Sequence, residues 1–217
     1  MPPTRTAVLS AFAQFRCSAI LRTADREVVR PALDAVIAGG FKLVEVTMTT
    51  PDCLEHISAL SERHGLVVGA GTVLSVDHAK EAMAAGARFL VSPVTDPQVI
   101  SFCRQHDLVS VPGCATPTEM MAAHRAGADV VKLFPCPANG PEFLKALRGP
   151  LPFLRVFPTA GVSEENVDLW LQAGAFGLGF VASLFDADDL RLRRFEAIQQ
   201  RAARIVAKVA AHGPTKV

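Results

Sequence analysis

Asp129-Val130-Val131-Lys132-Leu133-Phe134-Pro135 is a short, β-branched, apolar run set between Gly127-Ala128 and a proline. So brief a run of such residues predicts a buried parallel strand rather than a helix. Lys132 stands in its middle. Burying an ammonium there without a partner costs several kcal/mol, and the usual relief is a depressed pKa or a nearby carboxylate. Two readings follow. Lys132 is either a structural lysine, ion-paired in the core or with its tip reaching solvent, or an amine made nucleophilic by desolvation and able to form a Schiff base with a carbonyl.

Working outward, apolar strand-like runs and helical patterns alternate eight times along the chain. The strands expected are Cys17–Leu21, Leu43–Met48, Val67–Thr72, Phe89–Pro93, Val109–Gly113, Val130–Pro135, Leu154–Thr159 and Gly177–Val181. Helical patterns occupy Asp25–Ala38, Pro51–His64, Val76–Ala85, Pro97–His106, Pro117–Ala126, Glu142–Leu147, Glu164–Ala173 and Asp189 to about Ala211. Thr50-Pro51, Asp96-Pro97 and Thr116-Pro117 each set a capping side chain before a proline suited to the first helical position. Ala38-Gly39-Gly40-Phe41, Ala85-Gly86-Ala87-Arg88, Ala126-Gly127-Ala128-Asp129 and Ala173-Gly174-Ala175-Phe176 form a weak internal repeat before every second strand, with a glycine suited to a left-handed helix cap. Strict alternation with near-continuous apolar strands indicates a parallel sheet. Eight units, and no G-x-G-x-x-G after the first strand, favour a closed (β/α)8 barrel over a doubly wound open sheet.

The chain has 217 residues, near the roughly 250-residue size of such barrels. One domain is expected over residues 1–217, with residues 1–16 as a helical cap and 186–217 as a C-terminal helix and tail. Val8, Leu9, Phe12 and Phe15 give Thr6–Phe15 an apolar side fit to plug one barrel end. Arg191, Arg193, Arg194, Arg201 and Arg204 read as a solvated outer face of the last helix. Basic and acidic residues number 22 and 21, for a net charge of +1, so no field is available to hold nucleic acid or an anionic membrane. There is neither a secretory leader pattern nor an apolar run of membrane-spanning length. Cys17, Cys53, Cys103, Cys114 and Cys136 are odd in number and never form C-x-x-C, which points to reduced thiols and a soluble, cytoplasmic protein.

Polar residues break the apolar strands toward their C-terminal ends, the active face of a barrel. Leu43, Glu45 and Thr47 share one face of their strand, and Val130, Lys132 and Phe134 share one face of theirs. Both charges can therefore point inward. A buried ion pair joining two strands accounts for Glu45 and Lys132 as a structural feature. Their coincidence with Gly69-Ala70-Gly71-Thr72, Ser92-Pro93, Pro112-Gly113 and Pro158-Thr159-Ala160-Gly161 accounts for them as chemistry. A Schiff-base lysine needs desolvation or a nearby cation, and forming its imine needs a proton shuttle such as a buried carboxylate.

Glu45-Val46-Thr47, Gly69-Ala70-Gly71-Thr72-Val73-Leu74, Ser92-Pro93, Pro112-Gly113, Lys132-Leu133-Phe134-Pro135 and Pro158-Thr159-Ala160-Gly161-Val162-Ser163 together resemble the class I 2-keto-3-deoxy-6-phosphogluconate and 4-hydroxy-2-oxoglutarate aldolases, including the phosphogalactonate enzymes. The resemblance spans about Ala19 to Phe185. It implies Lys132 as the Schiff-base lysine, Glu45 as general acid/base, Thr72 at the pyruvyl carboxylate and Arg22 as an anion contact. It further implies that Gly71, Pro93, Phe134, Thr159, Gly161, Gly179 and Ser183 bind a small-molecule 2-keto acid. No metal or cofactor is implied, and a homotrimer is. The reaction would be retro-aldol cleavage of a 2-keto-3-deoxy sugar acid phosphate to pyruvate and glyceraldehyde 3-phosphate.

The chain departs from that pattern at three places. Thr49 stands where the gluconate enzymes often carry arginine. Ala160 replaces a glycine and is expected to hinder a left-handed turn or a close approach of backbone to phosphate. Phe180 is expected to bring bulk where a hydroxyl belongs, with Ser183 as its substitute. An unphosphorylated 4-hydroxy-2-oxo acid is therefore an alternative substrate. An isomerase or epimerase without a covalent intermediate, and a catalytically silent metabolite-binding barrel, are alternatives of other classes.

Overall fold

A computed structural model describes residues 3–217. Helix α1 (Arg5–Phe15) comes first, its N-terminus capped by the Thr4 side chain accepting from Ala7 N. Strands and helices then alternate: β1 (Cys17–Leu21), α2 (Arg26–Ala38), β2 (Leu43–Thr47), α3 (Cys53–Ser61), β3 (Val67–Gly71), α4 (Val76–Ala84), β4 (Phe89–Val91), α5 (Pro97–Gln105) and β5 (Val109–Val111). The second half holds β6 (Gly113–Cys114), α6 (Pro117–Ala126), β7 (Val131–Leu133), α7 (Gly140–Arg148), β8 (Val156–Pro158), a 3-10 turn (Glu164–Asn166) leading into α8 (Val167–Gln172), β9 (Leu178–Phe180), α9 (Ala187–Arg191) and α10 (Phe195–Ala210). Strands pair in parallel in the orders β5-β4-β3-β2-β1-β9 and β6-β7-β8. The result is an α/β fold whose parallel strands form a half-barrel.

Each expected strand is present, β1 with the bounds expected and the others shortened or divided. The single strand expected over Val109–Gly113 is divided at Pro112, which has no N–H to give to a ladder but still accepts at its carbonyl from Lys132 N (2.8 Å). β3 stops at Gly71 because Thr72 turns to φ 57°. The helix expected from Pro51 starts only at Cys53, since Asp52 lies at φ 52° and the Thr50 hydroxyl is bonded to Thr47 rather than capping. Asp96 and Thr116 do cap, Thr116 reciprocally with Glu119. In the repeat, Gly86, Gly127 and Gly174 are left-handed as expected, and in the first copy the second glycine, Gly40, takes that role.

The single C-terminal helix expected from Asp189 is two helices, separated at Leu192–Arg194 with Arg193 at φ 54°. Arg201 is not part of a solvated face. Its guanidinium reaches the buried Asp189 carboxylate (2.6 Å) and the Leu184 carbonyl (2.9 Å), tying α10 to the chain that follows β9. Ile198, Ala202, Ile205 and Val209 face inward.

Two apolar layers result. Between strands and helices lie Leu33, Phe41, Ile57, Trp170 and their neighbours. Inside the strands, Val8, Leu9, Phe12 and Ala13 of α1 pack on Leu43, Phe89, Val109 and Phe157. Phe12 meets Phe89 and Phe157 edge-on at 5.0 and 5.5 Å between centroids. Since Leu43, Phe89 and Val109 begin their strands, α1 covers the N-terminal end. Arg5 Nε holds the buried Asp129 carboxylate at 2.8 Å just ahead of β7, fixing that cover in place. The C-terminal strand ends are left open. Among the described residues no helix is long and apolar enough to cross a membrane.

Candidate active site

At the open end, β2 presents Glu45 and β7 presents Lys132, both buried at 2% and 8% exposure. Glu45 owes its position to β3. A Cβ added to Gly71 would lie 2.0 Å from Glu45 Oε1, so the carboxyl group occupies the space a side chain there would fill. Lys132 extends over the ring of Phe134, two residues on and on the same face, with Nζ 4.7 Å from its centroid. Among the described residues Lys132 takes part in no ion pair of 4.0 Å or less. The contact ion pair of the structural reading is therefore not formed.

Burial shifts both groups in the direction of their neutral forms. Burial pushes the Glu45 carboxyl up to about 7, against the opposing pull of Lys132. Burial likewise lowers the Lys132 ammonium; Glu45 counteracts this and the Arg22 cation adds to it. Each group is thus moved toward neutral pH, where a proton can pass in either direction.

Both groups face a cavity of about 380 Å³. Arg22, Thr72, Pro93, Phe134, Thr159, Gly161 and Ser183, the residues implied by the resemblance, line it with them. Gly71 and Gly179 stand behind the lining. Gly71 seats Glu45, and a Cβ on Gly179 would meet Thr159 Oγ1 at 2.5 Å. Ile20, Thr47, Ala160, Val162, Ser163, Val181 and Ala182 also line the cavity without having been assigned to binding. The signal for Ile20 and Thr47 was the period-two alternation that already placed Glu45 inward.

Two expectations are corrected. Ala160 does adopt the left-handed turn, at φ 67°, followed by Gly161 at φ 74°. Its methyl group therefore did not prevent the turn. Phe180 does not enter the cavity: with Gly179 facing inward, it projects outward and lies edge-on to Phe41 at 6.1 Å, fully buried. The rim there is made by Val181, Ala182 and Ser183, whose hydroxyl donates to Val162 O at 2.6 Å and joins the loops after β8 and β9. Among the described residues, the N–H groups of Gly161, Val162, Ala182 and Ser183 have no protein acceptor. Thr49 is exposed and hydrogen-bonded to Thr47. No group of three His, Cys, Asp or Glu side chains converges as a metal site among the described residues.

Parallel strands that open a cavity at their C-terminal ends, over a buried amine and carboxyl group, define the class as an α/β enzyme with its site at the strand ends. The family model described as KDPG and KHG aldolase matches residues 8–201. The chain belongs to that aldolase family, a family of lyases. It is 35% identical over 191 residues to the 2-dehydro-3-deoxy-6-phosphogalactonate aldolase of Escherichia coli K12, a match covering 87% of this chain and 91% of that one. A 2-dehydro-3-deoxy-phosphogluconate aldolase of Pseudomonas aeruginosa is 41% identical over 148 residues, 67% of each chain. The KDPG aldolase of Legionella pneumophila, solved with pyruvate captured at low pH as a covalent carbinolamine intermediate, superposes with a TM-score of 0.82 at 25% identity over 94% of this chain and 98% of that one.

Proposed function

We propose that this protein is a class I aldolase that cleaves a 2-keto-3-deoxy sugar acid phosphate to pyruvate and glyceraldehyde 3-phosphate. The observation that carries the reading is a pair held apart: Lys132, desolvated and near the Arg22 cation, and Glu45, raised to about 7, face one cavity without a contact ion pair. Lys132 Nζ attacks the C2 carbonyl, and loss of water from the carbinolamine leaves an iminium. Glu45 takes the proton of the C4 hydroxyl as the C3–C4 bond breaks. The bonding pair flows into the iminium to give an enamine, and the aldehyde departs. Protonation at C3 and hydrolysis release pyruvate and restore the amine. Thr72 is assigned to the pyruvyl carboxylate.

Phosphate would sit on the unpaired N–H groups of Gly161, Val162, Ala182 and Ser183, within reach of Arg22 at the rim. Ala160 in its left-handed turn supports this reading over the unphosphorylated one, because the loop keeps the shape a phosphate cup needs. Coupled detection of pyruvate release tests it. The phosphorylated sugar acid should be cleaved with a kcat/KM at least about a hundredfold above that of 4-hydroxy-2-oxoglutarate, since losing contacts to a phosphate forfeits several kcal/mol. The reverse order would assign the cavity to the unphosphorylated acid.

The wider architecture belongs to the same proposal. We read the two sheets as one closed (β/α)8 barrel in a single domain, because β5 and β6 continue across Pro112 and Thr159 bridges in parallel to Gly179. A homotrimer is supported by exposed Leu74 and Val94 on the loops after β3 and β4, which offer apolar surface to another copy. A cytoplasmic location is supported by five free cysteines.

A further inference from the structure

Thr47 lies two residues beyond Glu45 on the same face of β2, 4% exposed, and lines the cavity. Its hydroxyl meets two others, Thr49 Oγ1 at 3.1 Å and Thr50 Oγ1 at 3.0 Å. The Thr50 hydroxyl in turn donates to the Leu21 carbonyl at 3.4 Å. A hydroxyl has one proton and two lone pairs. Thr50, having committed its proton to Leu21, can meet Thr47 only as an acceptor. The Thr47 proton is thereby committed to Thr50, and Thr49 must be the donor to Thr47. One lone pair remains on Thr47 Oγ1, in a side chain that borders the cavity. Thr47 can accept a hydrogen bond from a ligand but has none to give. That polarity suits a substrate hydroxyl and repels a carboxylate or phosphate oxygen.

We propose that Thr47 determines specificity for a polyhydroxylated substrate by accepting a hydrogen bond from the non-reacting hydroxyl on the carbon next to the one being cleaved. This rests on the aldolase reading above. If Glu45 serves the reacting hydroxyl, two residues further along β2 is about 6–7 Å nearer the cavity mouth. With phosphate in the proposed cup, the aldehyde half would extend from Lys132 toward the loops after β8 and β9, at that mouth.

The test runs the reaction in the synthetic direction. Pyruvate is added to glyceraldehyde 3-phosphate, or to 3-oxopropyl phosphate, which lacks only the hydroxyl in question, while pyruvate C3–H exchange in D2O reports the first half of the chemistry alone. The native protein should favour the hydroxylated aldehyde in kcat/KM. Thr47→Val should lose about five- to tenfold on that aldehyde alone, the worth of one neutral hydrogen bond. Thr47→Ser should keep the preference, and pyruvate exchange should be unchanged in both. Equal loss on both aldehydes, no loss on either, or no preference in the native protein would overturn the assignment while exchange persists. Absence of exchange in the native protein would instead bring down the aldolase reading, and this inference with it.

Discussion

Glu45 occupies the space that any side chain on residue 71 would fill, and a single glycine thus positions the proposed acid/base group. With its carboxyl raised to about 7, Glu45 is half-protonated near neutral pH, the condition under which one group can both take and return a proton. Glu45→Gln keeps the shape and removes the titration. Its kcat for cleavage should fall by about 10²–10⁴, and the limb of the pH–rate profile near pH 7 should vanish; a surviving limb would assign that titration to another group. Lys132 was readable from sequence because a charge interrupts a strand otherwise apolar throughout, and Glu45 for the same reason. The outward turn of Phe180 was equally available, since Gly179 had been placed in the site and alternation sends its neighbour the other way. Ala160 was not readable: nothing in one methyl group tells whether the surrounding loop will hold it at φ 67°.

Among the elements, α1 and β7 divide the molecule into two ends. α1 fills the N-terminal mouth of the strands with Phe12 against Phe89 and Phe157 and is held by Arg5 on Asp129, while Lys132, three residues beyond Asp129, opens on the other side. Stability and chemistry are therefore separable. Phe12→Ala should cost about 3–5 kcal/mol in denaturant unfolding yet leave the cleavage rate of the folded fraction within about twofold; a large loss of rate in folded protein would show that the two ends are coupled. The plug helix was legible from its apolar side and eight strands from their short apolar runs, while the split of β5 from β6 was not. Nor were the ends of these elements, because they depend on tertiary partners. The Thr50 hydroxyl, a plausible cap in the sequence, is taken by Thr47 and Leu21, and Arg201, one arginine among five, is drawn inward by Asp189.

For the whole molecule, a buried carboxyl of raised pKa costs stability once it ionises. The unfolded chain releases the Glu45 proton near 4.5, whereas the fold holds it to about 7. Glu45 thus favours folding below the unfolded value, and that contribution is lost as pH rises through the folded one. Relative to Glu45→Gln, the native Tm should decline between about pH 4.5 and 7 and level off above; parallel curves would mean that the carboxyl is not buried in solution. The alternation of strands and helices made the parallel α/β order legible from the start. The proposed closure into a barrel rests on continuity across Pro112 and on the bridge between Thr159 and Gly179, which no local pattern encodes. The proposed reaction stands on a covalent role for Lys132. It is tested most directly by borohydride reduction in the presence of pyruvate, followed by intact and peptide mass spectrometry of the native chain and Lys132→Ala. A reduced pyruvyl adduct on Lys132, absent from the substituted chain, is the result predicted. A folded native protein that acquires no adduct, or acquires one at another lysine, would contradict it.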